Sequence, residues 1–114
     1  MNIIVCGGRD YSDREAVFEV LDRIQFKRPI TVLIQGGATG ADALAKEWAE
    51  VRQIHCATVP AMFKAFGAPA GPMRNAAMAT LGVTGVVAFP GGRGTASMVS
   101  IAKDRGINVW ESMA

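Results

Sequence analysis

The residues of this chain whose types and spacing suit chemistry gather around glycine. Val86-Val87-Ala88-Phe89-Pro90-Gly91-Gly92-Arg93-Gly94-Thr95 runs four apolar residues into a proline, three glycines and a threonine. An apolar run bounded by glycine reads as a buried strand, and Ala96 to Lys103 can continue as a helix. In such a strand, turn and helix, Gly91, Gly92 and Gly94 let the backbone approach a ligand closely. The free N–H groups of the helix start, with the positive end of its dipole, suit a phosphate. Thr95 can add a hydroxyl donor. One such turn is equally well read as a tight connection without a ligand, but the pattern recurs. Cys6-Gly7-Gly8-Arg9 follows Ile3-Ile4-Val5, and Gln35-Gly36-Gly37-Ala38-Thr39-Gly40 follows Thr31-Val32-Leu33-Ile34. In a parallel sheet the C-terminal ends of the strands share one edge, where open α/β sheets take their ligands.

The arginines come next. Arg74 is read in the first turn of a helix entered through Gly71-Pro72. A cation there opposes the helix dipole. A guanidinium that grips an anion bidentately explains such a position; a solvated surface arginine is the plainer reading. Arg9, directly after Gly7-Gly8, falls on the same edge. Arg93 lies inside the glycine turn, where its side chain can also point to solvent.

Among the carboxylates, Asp42 stands out. Thr39-x-x-Asp42 reads as a capping pair, with Asp favoured in a first helical turn. It also reads as a contact to a ribose or a water. A carboxylate beside a phosphate repels it, which fits Asp42 to the ribose or base side of a ligand. Asp42 and Arg74 are thus the candidate catalytic residues. Gly7, Gly8, Arg9, Gly36, Gly37, Arg74, Asn75, Gly91, Gly92, Gly94 and Thr95 are the candidate ligand and phosphate contacts. Asn75 is also readable as a plain polar helix residue. Glu15, Glu19, Glu47 and Glu50 fall on helix surfaces and are read as solvated charges.

These residues require elements to hold them. Residues 2–6 are the first strand. Ser12 with Glu15 matches a capping box, and Ala16, Val17, Val20, Leu21 and Ile24 then recur at helical spacing. Lys27-Arg28-Pro29 stops that helix. Residues 30–35 are the second strand, and Thr39 opens the second helix, with Ala41, Leu44, Ala45, Trp48 and Ala49 on its buried face. Residues 54–59 are the third strand. The stretch 61–72 is irregular and is read as a short helical turn followed by a loop. Residues 73–81 form a helix, 83–89 a strand, 95–105 a helix and 107–110 a last strand. Alternating strands and helices call for α/β architecture, a Rossmann-like three-layer sandwich around a mostly parallel five-stranded sheet.

At 114 residues the chain is expected to be a single domain, 1–114, and its 50% hydrophobic content can build a core. The apolar runs fall far short of the ~20 residues of a membrane span. Met1-Asn2 leads straight into a strand, so no signal peptide is expected and the expected location is cytoplasmic. A net charge of +2 with scattered lysines and arginines argues against a dedicated nucleic-acid surface. Two cysteines and one histidine make no metal-ligand spacing, so neither a metal nor a cofactor is implied. Cys6 and Cys56 read as small hydrophobes in strands, and His55 as structural.

Pro90-Gly91-Gly92-Arg93-Gly94-Thr95 resembles the P-G-G-x-G-T motif of the LOG and DNA-processing (SMF/DprA) superfamily, called SLOG. Gly7-Gly8-Arg9, then Gly36-Gly37-Ala38-Thr39-Gly40-Ala41-Asp42, then Ala70-Gly71-Pro72-Met73-Arg74-Asn75, narrow the resemblance to the small YspA-type, YpsA-related branch. The resemblance covers essentially the whole chain. It implies a Rossmann-like fold with a pocket for a nucleotide or a nucleotide-derived ligand. In LOG enzymes that pocket hydrolyses the N-glycosidic bond of a nucleoside 5′-monophosphate, and those enzymes are typically dimers. Gly91, Gly92, Gly94 and Thr95 match the phosphate loop, and Arg74 resembles the motif arginine. The family's glutamate, as in P-G-G-x-G-T-x-x-E, falls on Met98 here.

N-glycoside hydrolysis needs an acid or base near the bond and stabilisation of a positive ribosyl centre. Asp42 and Asp10 are the carboxylates that fall on the right edge, and with Met98 in the glutamate position an acid–base pair is not evident. The leading expectation is therefore a module that binds a nucleotide or nucleotide-derived small ligand as sensor, carrier or sequestering protein. The alternative is a phosphoribohydrolase that uses Asp42. Single-stranded DNA binding is the third reading, disfavoured by the small net charge and few aromatics. Base specificity is expected from residues 61–72, where Phe63 and Phe66 can stack on a base or join the core. A homodimer is expected from the family, with Ala76, Ala77, Met78 and Ala79 as an apolar helix face suited to close packing.

Overall fold

A computed structural model of the protein describes residues 1–113. The elements run β1 (Asn2–Cys6), α1 (Arg14–Lys27), β2 (Val32–Gln35), α2 (Ala41–Arg52), β3 (His55–Thr58), α3 (Phe63–Phe66), α4 (Ala70–Met78), β4 (Gly85–Ala88), α5 (Arg93–Asp104) and β5 (Asn108–Glu111). The five strands form one sheet in the order β3-β2-β1-β4-β5, and every pairing is parallel. The α/β expectation is met, with all strands rather than most of them parallel. The order grows outward from β1 in one direction to β3, then returns to the centre at β4. That return makes β1 and β4, neighbours in register from Ile3↔Gly85 to Cys6↔Ala88, the point where connections leave for opposite faces.

Alternation along the strands sends side chains to both faces. On one face Ile3, Val5, Leu33, Val87 and Phe89 meet Val17 and Leu21 of α1 and Ala45, Trp48 and Ala49 of α2. On the other, Ile4, Cys6, Ile34, Val86 and Ala88 meet Met78, Met98 and Ala102 of α4 and α5. Strands covered on both faces read as continuous apolar runs, which is why Val86–Phe89 carries no polar residue. Trp48 is fully buried, and its indole N–H donates to Asp22 on α1 at 2.9 Å. The same carboxylate accepts Arg52 twice, at 2.8 Å each, and this fork holds Asp22 below the usual carboxylate range.

Several boundaries differ from the sequence reading. Asp13, not Ser12, caps α1, accepting the Ala16 N–H at 3.0 Å. The capping pair expected at Thr39 and Asp42 is not made: α2 begins at Ala41 with Gly40 before it at φ 74°, and the Thr39 hydroxyl donates to the Arg9 carbonyl at 2.8 Å. Helix α4 starts at Ala70 rather than Met73, taking Gly71-Pro72 into its first turn. Proline is tolerated there because a first-turn N–H has no helical acceptor to lose. The expected turn in the irregular stretch is α3. Strands β2, β3 and β4 are shorter than read, since only the residues that pair across the sheet count. Of the helix face proposed for subunit packing, Met78 and Ala79 are buried in the chain's own core. Among the described residues no helix is long and apolar enough to cross a membrane.

Candidate functional site

The turns after β1, β2 and β4, the starts of α2 and α5 and the second half of α4 enclose a cleft of about 330 Å³. Ten of the sequence-derived site residues line it: Gly7, Gly8, Arg9, Gly36, Asp42, Arg74, Asn75, Gly92, Gly94 and Thr95. Asp10 and Arg93 line it as well. Gly37 borders an adjoining hollow instead. Gly91 lies beneath the α5 turn, where a Cβ would overlap the Thr95 hydroxyl and press on the Gly8 amide.

The three glycine turns do different work. After β1, the Gly8 N–H donates to the Pro90 carbonyl at 2.8 Å, and the Gly8 carbonyl accepts from Ala41 at 3.1 Å. This ties the β1 and β4 turns to each other and to the start of α2. After β2, the Gly36 N–H donates to Asp42 and the Gly37 N–H to the Gln35 side chain at 2.6 Å. Gln35 is almost fully buried and also donates to Thr58 Oγ1 at 2.5 Å. Both of these turns spend backbone donors inside the protein. The turn after β4 spends its Phe89 N–H on the Cys6 carbonyl at 2.9 Å, but not the donors at its far end. The first bond of α5 runs from Ala96 N to Gly92 O at 3.1 Å, so the N–H groups of Arg93, Gly94 and Thr95 precede it. Among the described residues no side chain caps this end, and no acidic residue sits in its first turn. An uncapped helix start carries three orphan donors and a positive dipole end.

Arg74 is the fifth residue of α4, so the dipole argument for it does not apply; its contacts do. Its Nη1 donates to the Gly36 carbonyl at 2.9 Å and to the Val59 carbonyl at 3.4 Å, and its Nε donates to Asn75 Oδ1 at 2.9 Å. Asn75, 3% exposed, passes the link on, donating through Nδ2 to the Gly94 carbonyl and to Ser97 Oγ, each at 3.3 Å. Its amide thus fastens α4 to the start of α5 and orients Arg74. Arg9, Arg74 and Arg93 form no ion pair among the described residues.

Asp42 is 7% exposed, and its Oδ2 accepts the Gly36 and Ala38 N–H groups at 3.1 and 3.2 Å. Among the described residues its Oδ1 accepts no hydrogen bond, and Asp42 lines the cleft. Burial pushes its carboxyl above the usual range, against the pull of the Ala38 N–H, Arg74, the Gly36 N–H and Arg9. Beside it, burial and then the Asp42 charge push the Cys6 thiol up to about 12, so Cys6 is a protonated, inert wall of the cleft. Met98 is fully buried in the core beneath and does not line the cleft. The described residues hold no cluster of three metal-ligating side chains. Sequence reasoning missed Gln35, Ser97 and Met78; an isolated glutamine at a strand end and a serine inside a helix carry no pattern of their own.

The chain matches the family model described as YspA, cpYpsA-related SLOG family over residues 1–66, which takes in the β1 and β2 turns and Asp42. It is 34% identical over 115 positions to the gene 61 protein of Mycobacterium phage D29, covering 94% of this chain and 92% of that protein. Its fold is similar to that in the X-ray structure of DNA processing protein A (DprA) from Streptococcus pneumoniae, with a TM-score of 0.80 at 19% identity. That likeness covers 99% of this chain and 50% of the pneumococcal chain, so this protein spans half its length. With glycine turns at the ends of β1, β2 and β4 and a family match over more than half its length, the chain belongs to the YspA, cpYpsA-related SLOG family.

Proposed function

We propose that this protein binds a nucleotide or a nucleotide-derived small ligand, as a sensor, carrier or sequestering module, with the ligand's phosphate at the start of α5. The observation that carries this reading is the uncapped first turn of α5, which opens on a cleft lined by Arg9, Arg74 and Arg93, none of them ion-paired among the described residues. Orphan N–H donors, a positive dipole end and guanidinium groups all favour a phosphate dianion. Membership of a SLOG family agrees with a nucleotide-related role. Isothermal titration with nucleoside monophosphates, ADP-ribose and NAD tests it. Binding to at least one of them is expected, and silence from all three classes at millimolar ligand overturns it.

A second reading, hydrolysis of the N-glycosidic bond of a nucleoside 5′-monophosphate, is favoured by one observation. Asp42 combines a raised pKa with an unbonded Oδ1 at the cleft, the condition in which a carboxylic acid can hold a proton for a leaving base. Chromatography of a long incubation with concentrated protein decides it. Ribose 5-phosphate and free base, both lost in Asp42→Asn, support hydrolysis; intact nucleotide rejects it. Single-stranded DNA binding rests on likeness to the fold of a DNA processing protein, and a salt-sensitive electrophoretic shift is its test. Native mass spectrometry tests the family-based expectation of a homodimer.

A further inference from the structure

A second hollow, of about 350 Å³, adjoins the cleft between Thr39, Pro60 and Phe63, and shares Arg9, Gly36 and Arg74 with it. Phe63 of α3 lines it, and none of that helix's residues is buried. Met62, Phe63 and Phe66 stand 62%, 45% and 52% exposed. Apolar area left in water beside a polar cleft costs free energy that a ligand with an apolar face recovers. The Arg9 guanidinium stands 5.8 Å from the Phe63 ring centroid. On α1, where Arg14 rests directly on Phe18, the same measure is 4.0 Å. A flat ring between two flat groups needs about twice the ~3.5 Å carbon contact distance, so a shift of about 1 Å in two exposed side chains admits one.

We propose that Arg9 and Phe63 clamp the planar heteroaromatic ring of a nucleotide whose phosphate sits at the start of α5. The proposal rests on the nucleotide reading above and deepens it: the ligand is a phosphate ester bearing a nucleobase, not a bare sugar phosphate. Guanidinium planes and aromatic faces both stack on bases. Arg9 forms no salt bridge among the described residues, although the Asp42 carboxyl feels its charge. The polar floor of Gly36 and Arg74 joins the two hollows, so one ligand can span both.

Isothermal titration of the wild-type protein, Phe63→Ala and Phe63→Tyr with adenosine 5′-monophosphate and with ribose 5-phosphate tests the clamp. Phe63 is half exposed, so both variants keep the fold, and circular dichroism verifies this. The wild type is expected to bind the nucleotide more tightly than the sugar phosphate. Phe63→Ala is expected to lose about tenfold or more in nucleotide affinity, the scale of one base–aromatic stack, with ribose 5-phosphate binding unchanged. Phe63→Tyr is expected to keep the wild-type preference. Equal nucleotide affinity in the wild type and Phe63→Ala, with ribose 5-phosphate still bound, overturns the clamp alone. Binding of neither compound by the wild type, with ADP-ribose and NAD silent as well, overturns the nucleotide reading and the clamp together.

Discussion

Asp42 and Arg74 hold opposite sides of one residue: the Gly36 N–H donates to the Asp42 carboxylate at 3.1 Å, and the Gly36 carbonyl accepts from the Arg74 guanidinium at 2.9 Å. The β2 turn is thereby fastened between a helix start and a helix from the far side of the sheet. Through Asn75 the same guanidinium is tied to the carbonyl of Gly94 on α5. Carboxyl group, guanidinium and anion-binding turn form one connected polar network.

That network explains why Gly36 has no side chain. A Cβ there would overlap the Arg74 guanidinium and crowd Asp42. Gly36→Ala is expected to push the guanidinium off its carbonyl, costing about 1.5–3 kcal/mol for a lost bond to a charged group. The readout is a lower urea midpoint at unchanged m-value, together with weakened nucleotide binding. Wild-type stability in this variant would show that Arg74 does not depend on the Gly36 carbonyl.

Asn75→Ala removes the joint between α4 and α5. The Gly94 carbonyl, Ser97 hydroxyl and Arg74 Nε each lose a partner. Since Asn75 is buried, the expected cost is about 1–3 kcal/mol. Weaker nucleotide binding is expected to accompany it, because the amide also orients Arg74. Thermal unfolding and titration on the same sample check both effects; lost stability with full binding would make Asn75 a structural residue only.

Much of this site is legible in the sequence. Periodicity and the glycine pairs identified the strand ends, and a parallel sheet must bring those ends together. Gly7, Gly36 and Gly92 meet for that reason. What local pattern does not carry is where a polar group spends its bonds. Asp42 looks like a helix cap, yet it reaches back to Gly36 and Ala38, because the chain turns at Gly40 and aims the carboxylate at the end of β2. Pro72 looks like the door of a helix, yet α4 has started before it, since a first-turn residue needs no N–H. Gly8 looks like a phosphate ligand, yet its N–H is held by Pro90, a partner 82 residues away that only the fold supplies.

Asp42 should also mark the protein's response to pH. Its folded-state pKa is raised by burial, so between the ordinary carboxylate range and that raised value the native state holds a proton the unfolded state has released. Stability contributed by this group therefore falls as pH rises through that window and is flat below it. Asp42→Asn keeps an oxygen for the Gly36 and Ala38 N–H groups but cannot ionise. The melting temperature of the variant minus that of the wild type is expected to rise from pH 4 to pH 7, as read by scanning fluorimetry. A difference that falls over that range would mean that the N–H donors and arginines outweigh burial at Asp42.

Met98 provides the last test, since it occupies the position that the resembled motif gives to glutamate. Here that side chain is fully buried among Ile4, Cys6, Met78 and Val86. Met98→Glu would place a carboxyl where no cationic side chain of that core can pair with it. An uncompensated buried charge costs about 3–5 kcal/mol, and the group escapes part of this by taking a proton, with its pKa raised. The variant is therefore expected to be strongly destabilised at neutral pH and less so in mild acid. Chemical denaturation at the two pH values measures this directly. A variant as stable as the wild type at neutral pH would mean that position 98 reaches the polar cleft, and would reopen the case for a glutamate-dependent hydrolase built on this fold.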